Sequence, residues 1–423
     1  MRKNYFIVGL IFLVFFVISF LTNILGPIIP DLINSFNLSL TLAAFLPFSF
    51  FVAYGVMSIP AGMLVERYGE KITMLVSFLL AFAGALLFAT FPVYAVALPS
   101  LFLIGIGMAM LQVAINPLLR TAGGEEAFAF NSVLAQLVFG AASFISPHVY
   151  SYLVNNLGKN VEAGNVFLSA LSVITPSRMP WVSLYWIFAV VSLAMVLVIA
   201  LSKFPKVKLK SDERVGAWKI YGELFKRKIV WLYFIGIFAY VGTEQGTANW
   251  ISEFLKSYHG YNPQTTGAES VSLFWGLLTA GCVLGLVFLK LFDSRKVLVT
   301  FTSAAMITLA FALFGSAKIS LYAFPAVGFF LSVMWSIVFS LALNSFAEHH
   351  GAFSGILVTG IIGGAIVPVI IGALGDLFGL RYGMLFLFIT LGYILSVGIW
   401  AKPLINNKTV SLWKKRRLKN NEN

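Results

Sequence analysis

Twelve stretches of about twenty mostly apolar residues punctuate this chain, and no other feature narrows its fold so far. Only a helix or a closed barrel satisfies its own backbone polar groups in hydrocarbon, and roughly 20 helical residues cross a layer about 30 Å thick. The stretches lie near 5–29, 42–65, 72–91, 95–119, 129–154 and 182–202, then 229–255, 268–290, 297–315, 319–346, 352–375 and 382–402. Of 423 residues 59% are hydrophobic and 11% charged, which excludes a soluble domain of this length. The first stretch follows Arg2 and Lys3 and has no small-x-small cleavage site, so it reads as a spanning helix and not as a leader. The expected fold is all-α, a membrane protein with twelve transmembrane helices.

Charge sets the orientation. One set of connections collects Arg2, Lys3, Arg67, Lys71, Arg120, the segment 203–228, Lys290, Arg295, Lys296 and the tail from Lys414 to Lys419. The other set holds Lys159, Arg178, Lys256, Lys318 and Arg381. This bias places both termini in the cytoplasm; the expected location is a bacterial-type cytoplasmic (inner) membrane. The formal charge of +13 is thus used at segment ends, and a nucleic-acid partner is not expected. Segment 203–228, with nine basic and three acidic residues, reads as a linker lying along anionic headgroups between 1–202 and 229–423. Gly62 opens GMLVERYGEK and Gly285 opens GLVFLKLFDSRK at a similar place in each part, as Pro147 and Pro368 each follow a run of small residues. The pattern predicts two six-helix pseudo-repeats with a cavity at the midplane.

Enzyme chemistry finds no support. His148, His259, His349 and His350 come without an HExxH, a cysteine pair or a phosphate-cradling glycine loop, and Cys282 is the single cysteine. No cofactor or metal is expected. His148 reads as a hydrogen-bonded interior histidine.

Polar residues inside the apolar stretches are more informative, because hydrocarbon penalises them unless they are paired or wetted. The first span has Asn23, the fourth Gln112 and Asn116, the fifth Ser132 and Gln136, the tenth Asn344. The seventh holds Glu244, Gln245 and Asn249, with Glu244 about 22 Å along the helix and so inside the slab. Gly242 and Gly246 flank it and are expected to weaken the helix there. Tyr54, Trp250 and Trp335 accompany the amides. Amides offer paired donors and acceptors to sugar hydroxyls, and rings stack on the apolar sugar face. Amides also serve as interhelical glue, which is the expected role of about half of them. Glu244 is a candidate for coupling to H+ or Na+, for binding substrate, or for tying down a broken helix.

GMLVERYGEK resembles the loop 2–3 signature of the major facilitator superfamily, with Glu66 where the family usually has aspartate. MLQVAINPLL, LAQ (134–136), YVGTEQGTANW, FSLALNSF and GILVTGIIGGAIVP together resemble the fucose/glucose–galactose cation symporter branch, across nearly all twelve spans. The resemblance implies an alternating-access sugar porter. Gln112 stands where glucose/galactose-type members have glutamine and fucose-type members glutamate, and Gly26 stands where the family carries an aspartate. That departure leaves Glu244 as the one central acid. Gln136 falls where the family has a helix 5 glutamine implicated in sugar contact, and Trp335 where the family has an aromatic residue in helix 10.

The candidate cavity residues are therefore Asn23, Gln112, Asn116, Gln136, Gln245, Asn249, Trp250 and Trp335, with Glu244 for ion coupling. Gly62, Glu66, Arg67 and Lys71 form a candidate cytoplasmic latch. The expected partners are a monosaccharide and the bilayer, and the expected state is a monomer. Three alternatives stay open: a porter of the same fold for a drug or an organic acid, an uncoupled sugar facilitator, and a non-transporting membrane receptor. An acid porter would want an intramembrane Lys or Arg, and none is evident.

Overall fold

The structure, a computed structural model, describes residues 4–124, 128–157, 165–205, 218–345 and 350–404. Arg2, Lys3, Lys159, residues 206–217 of segment 203–228, His349 and the basic tail lie outside them. Every regular element among the described residues is a helix. In chain order they are α1 (Tyr5–Thr22), α2 (Leu25–Phe36), α3 (Leu40–Thr90), α4 (Tyr94–Gly123), α5 (Phe128–Leu157), α6 (Val166–Ile174), α7 (Ser183–Leu201) and α8 (Trp218–Phe225). There follow α9 (Lys228–Ala248), α10 (Ile251–His259), α11 (Ala268–Leu291), α12 (Ser294–Phe314), α13 (Ala317–Leu331), α14 (Met334–Leu343), α15 (His350–Thr359), α16 (Gly363–Phe378), α17 (Leu380–Gly383) and α18 (Phe386–Trp400).

Among the described residues ten continuous helical stretches are long and apolar enough to cross a membrane. The longest, α3, is two helices that meet at Gly69, whose backbone is non-helical at φ 79°, ψ 167°. The chain reverses there: the Tyr94 hydroxyl, just beyond the end of α3, donates to the Leu42 carbonyl at its start, at 2.8 Å. Both arms then pack along α4. Lys228–His259 is also apolar, but it is interrupted at Asn249–Trp250 and so divides into α9 and α10.

Buried side chains form two groups. One is drawn almost wholly from residues before Leu201, the other almost wholly from Tyr221 onward. Each group has a basic residue closing the last helix of its part. Lys71 Nζ donates to the carbonyls of Ala200 and Ser202, both at 2.8 Å, at the end of α7. Arg295 Nη1 donates to the Ala401 carbonyl at 3.3 Å, at the end of α18. A cation at a helix C-terminus satisfies otherwise orphaned carbonyls, which accounts for a basic residue at each turn.

The two parts meet closely at one end. Gln264 Nε2 donates to Asp31 Oδ1 at 3.1 Å, Lys256 Nζ to Asn34 Oδ1 at 3.3 Å, and the Ser272 hydroxyl to the Phe144 carbonyl at 2.5 Å. Between α2 and the end of α9 the backbones nearly touch: a Cβ on Gly26 would lie 2.5 Å from the Ala248 carbonyl oxygen. Farther along α5 and α11, Phe130, Val133, Leu286 and Val287 are exposed.

The reversal at Gly69 yields a test. A left-handed backbone penalises any Cβ, while no heavy atom lies within 4 Å of the Cβ position at Gly69. Gly69→Ala is therefore expected to lower unfolding stability in detergent by about 1 kcal/mol through backbone strain alone. Gly9→Ala, in open space within α1, is expected to leave it unchanged or raised. Thermal unfolding of the two variants checks this; equal effects would contradict the strained turn.

Candidate functional site

The polar heart of α9 faces α14. Glu244 is half-buried, and its carboxylate accepts from the Tyr240 hydroxyl at 2.5 Å and from Gln245 Nε2 at 3.2 Å. Tyr240, one helical turn before, is buried and tilts against the half-buried Trp335 ring, centroids 6.0 Å apart, and Trp335 stacks on Phe339 at 5.7 Å. Helical spacing explains the first contact, since residues four apart lie one above the other. No Lys, Arg or His pairs with Glu244 among the described residues. A carboxyl group with two neutral donors and an aromatic wall can accept from a hydroxylated ligand or hold a proton.

The glycines flanking Glu244 do not break the helix. Gly242 packs on Val367 and Gly246 on Ile371 and Leu387, so their missing side chains let α9 approach α16 and α18. The interruption comes later, at Asn249–Trp250. The adjacent Thr243 hydroxyl shares a 2.6 Å hydrogen bond with Thr390 on α18 and leaves α9 well anchored.

The other sequence candidates fall in different places. Asn23 is buried between α1 and α5, and its amide donates to Ser143 at 2.8 Å and Ser19 at 3.4 Å, so it joins two helices of one part. Trp250 is fully buried among the apolar side chains of the second group, and its indole N–H, like the Asn249 amide nitrogen, has no partner among the described residues. Gln245 is buried beside Glu244 and near Gly364 of α16. On α4 the Asn116 amide donates to the Gln112 carbonyl at 3.2 Å, with Asn116 exposed and Gln112 half-buried. Gln136 is exposed on α5. No bond ties Gln112, Asn116 or Gln136 to the Glu244 cluster among the described residues. Asn344 donates to Ser340 at 3.2 Å at the end of α14. His148 is exposed and lies edge-on to Phe144, 5.1 Å between ring centroids, which corrects the interior placement expected for it.

At the end of the first arm of α3, Glu66 and Arg67 are exposed and Gly62 is half-buried, while Lys71, just past Gly69, caps α7 as described.

Glu244 is not the only acid inside the helical layer. Asp31 on α2 is 7% exposed. It accepts from the Tyr150 hydroxyl of α5 at 2.7 Å and from Gln264 of the second part. It borders a cavity of about 190 Å³ with Asn34, Arg178, Trp181 and Gln264. The sequence reading ended the first span at Ile29 and so left Asp31 outside it. The signal was present in Pro30-Asp31: proline inside the helix costs one backbone bond but does not end it here.

Comparison with known proteins places this geometry. The model of the Major Facilitator Superfamily matches residues 11–361. A glucose/galactose transporter of Brucella abortus is 32% identical over 408 residues, 94% of this chain and 95% of that one. The L-fucose-proton symporter of Escherichia coli K12 is 26% identical over 86% of each chain. Among solved structures, the E. coli fucose:proton symporter superposes with a TM-score of 0.66 at 22% identity, covering 95% of this chain and all of that one. A bacterial homologue of the human lysosomal transporter Spinster superposes with 0.78 at 15% identity, covering 94% and 98%. At these identities the structural likeness speaks for the fold.

The placements separate glue from open amides. Asn23→Ala is expected to cost about 0.6–1.7 kcal/mol of stability, the range for interhelical hydrogen bonds in membranes. Asn116→Ala and Gln136→Ala, at exposed positions, are expected to stay within about 0.5 kcal/mol of the parent. Thermal unfolding in detergent compares the three; equal losses would place the exposed amides in the packing as well.

Proposed function

The chain belongs to the Major Facilitator Superfamily, and from that premise we propose that it is a secondary transporter carrying a monosaccharide by alternating access, in symport with a cation. The sugar class follows the relatives with which it shares nearly its whole length: a glucose/galactose transporter and an L-fucose-proton symporter. The observation that carries the coupling is Glu244, a carboxyl group within a span whose partners, Tyr240 and Gln245, are neutral. Burying a charge without a cation costs several kcal/mol, while a hydrogen bond to a charged group returns about 1.5–3 kcal/mol. The two effects are of similar size, so wetting or sealing the position shifts the balance between the protonated and ionised forms. A site that trades a proton between two faces of a membrane needs that property.

Twelve transmembrane helices follow when the two arms of Leu40–Thr90 count as two crossings and Lys228–His259 as one broken crossing. The helices then form two six-helix bundles, 1–202 and 229–423, joined by 203–228. The matched caps of Lys71 on α7 and Arg295 on α18 support this repeat, as do the two separate groups of buried side chains.

With both termini in the cytoplasm, the contacts at Asp31, Asn34, Gln264 and Phe144 form an outer seam, and the state is inward-facing. The protein then lies in the cytoplasmic membrane and works as a single chain. In this reading the exposed amides Asn116 and Gln136, together with Gln112, Gln245, Asn249 and Trp335, line the wetted cleft or join it as the bundles rock. An exposed amide facing lipid would cost several kcal/mol, which supports a cleft. Asn23 and Trp250 support that cleft from within the bundles. Gly62, Glu66, Arg67 and Lys71 form the inner latch. Gly26 favours the transfer of coupling to the seventh helix: its contact with the Ala248 carbonyl leaves no room for an acidic side chain in this state.

Uptake of a panel of labelled hexoses into proteoliposomes, under an imposed proton or sodium gradient, tests the reading. The parent protein is expected to accumulate at least one hexose. Glu244→Gln is expected to lose gradient-driven accumulation at least tenfold and to retain sugar exchange at equal concentrations. Tyr240→Phe, which removes one donor to the carboxylate, is expected to shift the pH profile of accumulation and keep the exchange. Absence of any hexose uptake or exchange defeats the sugar reading; accumulation by Glu244→Gln equal to the parent defeats the coupling role.

A further inference from the structure

Residues 62–71, GMLVERYGEK, share their spacing with 372–381, GALGDLFGLR. In both, glycine is followed at fixed intervals by leucine, an acid, an aromatic residue, a second glycine and a base. The backbone repeats as well. Gly379 sits at φ 91°, ψ 147°, close to the 79° and 167° of Gly69. The base anchors each turn within its own part: Lys71 on the end of α7, and Arg381 with its guanidinium 4.5 Å from the Tyr258 ring centroid and its backbone N–H donating to the Tyr258 hydroxyl at 3.0 Å.

The acid of the second copy reaches across the seam. Asp376 Oδ1 accepts from the Leu40 N–H at 2.8 Å, and Oδ2 accepts from the Thr41 N–H at 2.9 Å and the Thr41 hydroxyl at 2.5 Å. The Ser39 hydroxyl takes the next N–H, that of Leu42, at 3.2 Å. Three of the four N–H groups that a helix leaves unpaired at its start are thus satisfied, two of them by a residue of the opposite part. A carboxylate at a helix N-terminus is also favoured by the helix dipole. The approach depends on small residues: a Cβ on Gly372 would lie 2.7 Å from the Leu40 carbonyl oxygen.

We propose that Asp376 is a gating residue, an outer latch that holds the seam shut by capping α3. The proposal rests on the alternating-access reading above. When the bundles part at this end, Leu40 and Thr41 must exchange the carboxylate for water, so the latch weights the equilibrium toward the closed seam. It is the mirror, on the outer face, of the loop that carries Glu66 on the inner face.

Labelling of a buried seam residue by an impermeant maleimide in proteoliposomes tests this. The reporter is Ala268→Cys in a Cys282→Ser background, since Ala268 is fully buried against the first group. Asp376→Ala is expected to raise the labelling rate about tenfold, the effect of losing a charged cap. Asp376→Asn, which keeps an acceptor oxygen, is expected to give a smaller rise. Glu66→Gln, on the other face, is expected to give none. A second reporter, Ala81→Cys, is fully buried within the first group and is expected to stay unlabelled throughout. Unchanged labelling of Ala268→Cys in Asp376→Ala overturns the proposal. So does an equal rise in Glu66→Gln, or a parallel rise at Ala81→Cys. Hexose uptake by the parent is scored separately: uptake with unchanged labelling defeats the latch and keeps the transporter, while a seam that opens without any uptake defeats the sugar reading alone.

Discussion

A polar group inside hydrocarbon is costly without a partner, and much of the structure is arranged around how such groups find one. Most are settled locally and permanently. Serine and threonine hydroxyls return to the carbonyl one turn earlier, as Thr22 does to Ile18 and Thr247 to Thr243, both at 2.7 Å. Asn23 is settled across α1 and α5. Glu244 is settled by neutral groups alone, so its partners do not fix its charge. Its state therefore responds to whether water reaches it.

The same constraint shapes the seam between the two parts. Contacts that must form and break use groups that water can satisfy in the open state: the Gln264 amide on Asp31, Lys256 on Asn34, and the first N–H groups of α3 on Asp376. Apolar contacts and close backbone approach, as between Gly26 and Ala248, supply the fit. Among the described residues, none of these contacts across the seam is a fully buried ion pair. Buried ion pairs are costly to separate, whereas contacts of the kind seen here can be exchanged for water.

Much of this was legible in the sequence, and the limits have physical causes. Hydropathy located the helical layer because burial in lipid requires long apolar runs, and Glu244 stood out because an acid in such a run is rare. Asp31 was missed because Pro30 reads as a helix end, while its partners Tyr150 and Gln264 lie more than a hundred residues away and come together only on folding. Gly242 and Gly246 read as hinges from composition. Their role is close packing, which depends on Val367, Ile371 and Leu387 from distant helices. The amides Asn23 and Gln136 look alike in sequence, one joining helices and the other exposed, because periodicity tells which face a residue occupies but not what lies opposite.

The central claim is that Glu244 takes up and gives back a proton as sugar binds and leaves. Infrared difference spectroscopy of the reconstituted protein, with and without saturating hexose, reads carboxyl protonation directly. The account predicts a protonated-carboxyl band that changes on sugar binding and vanishes in Glu244→Gln. The same band in Glu244→Gln, or its absence in a parent protein that accumulates sugar on a proton gradient, would contradict it.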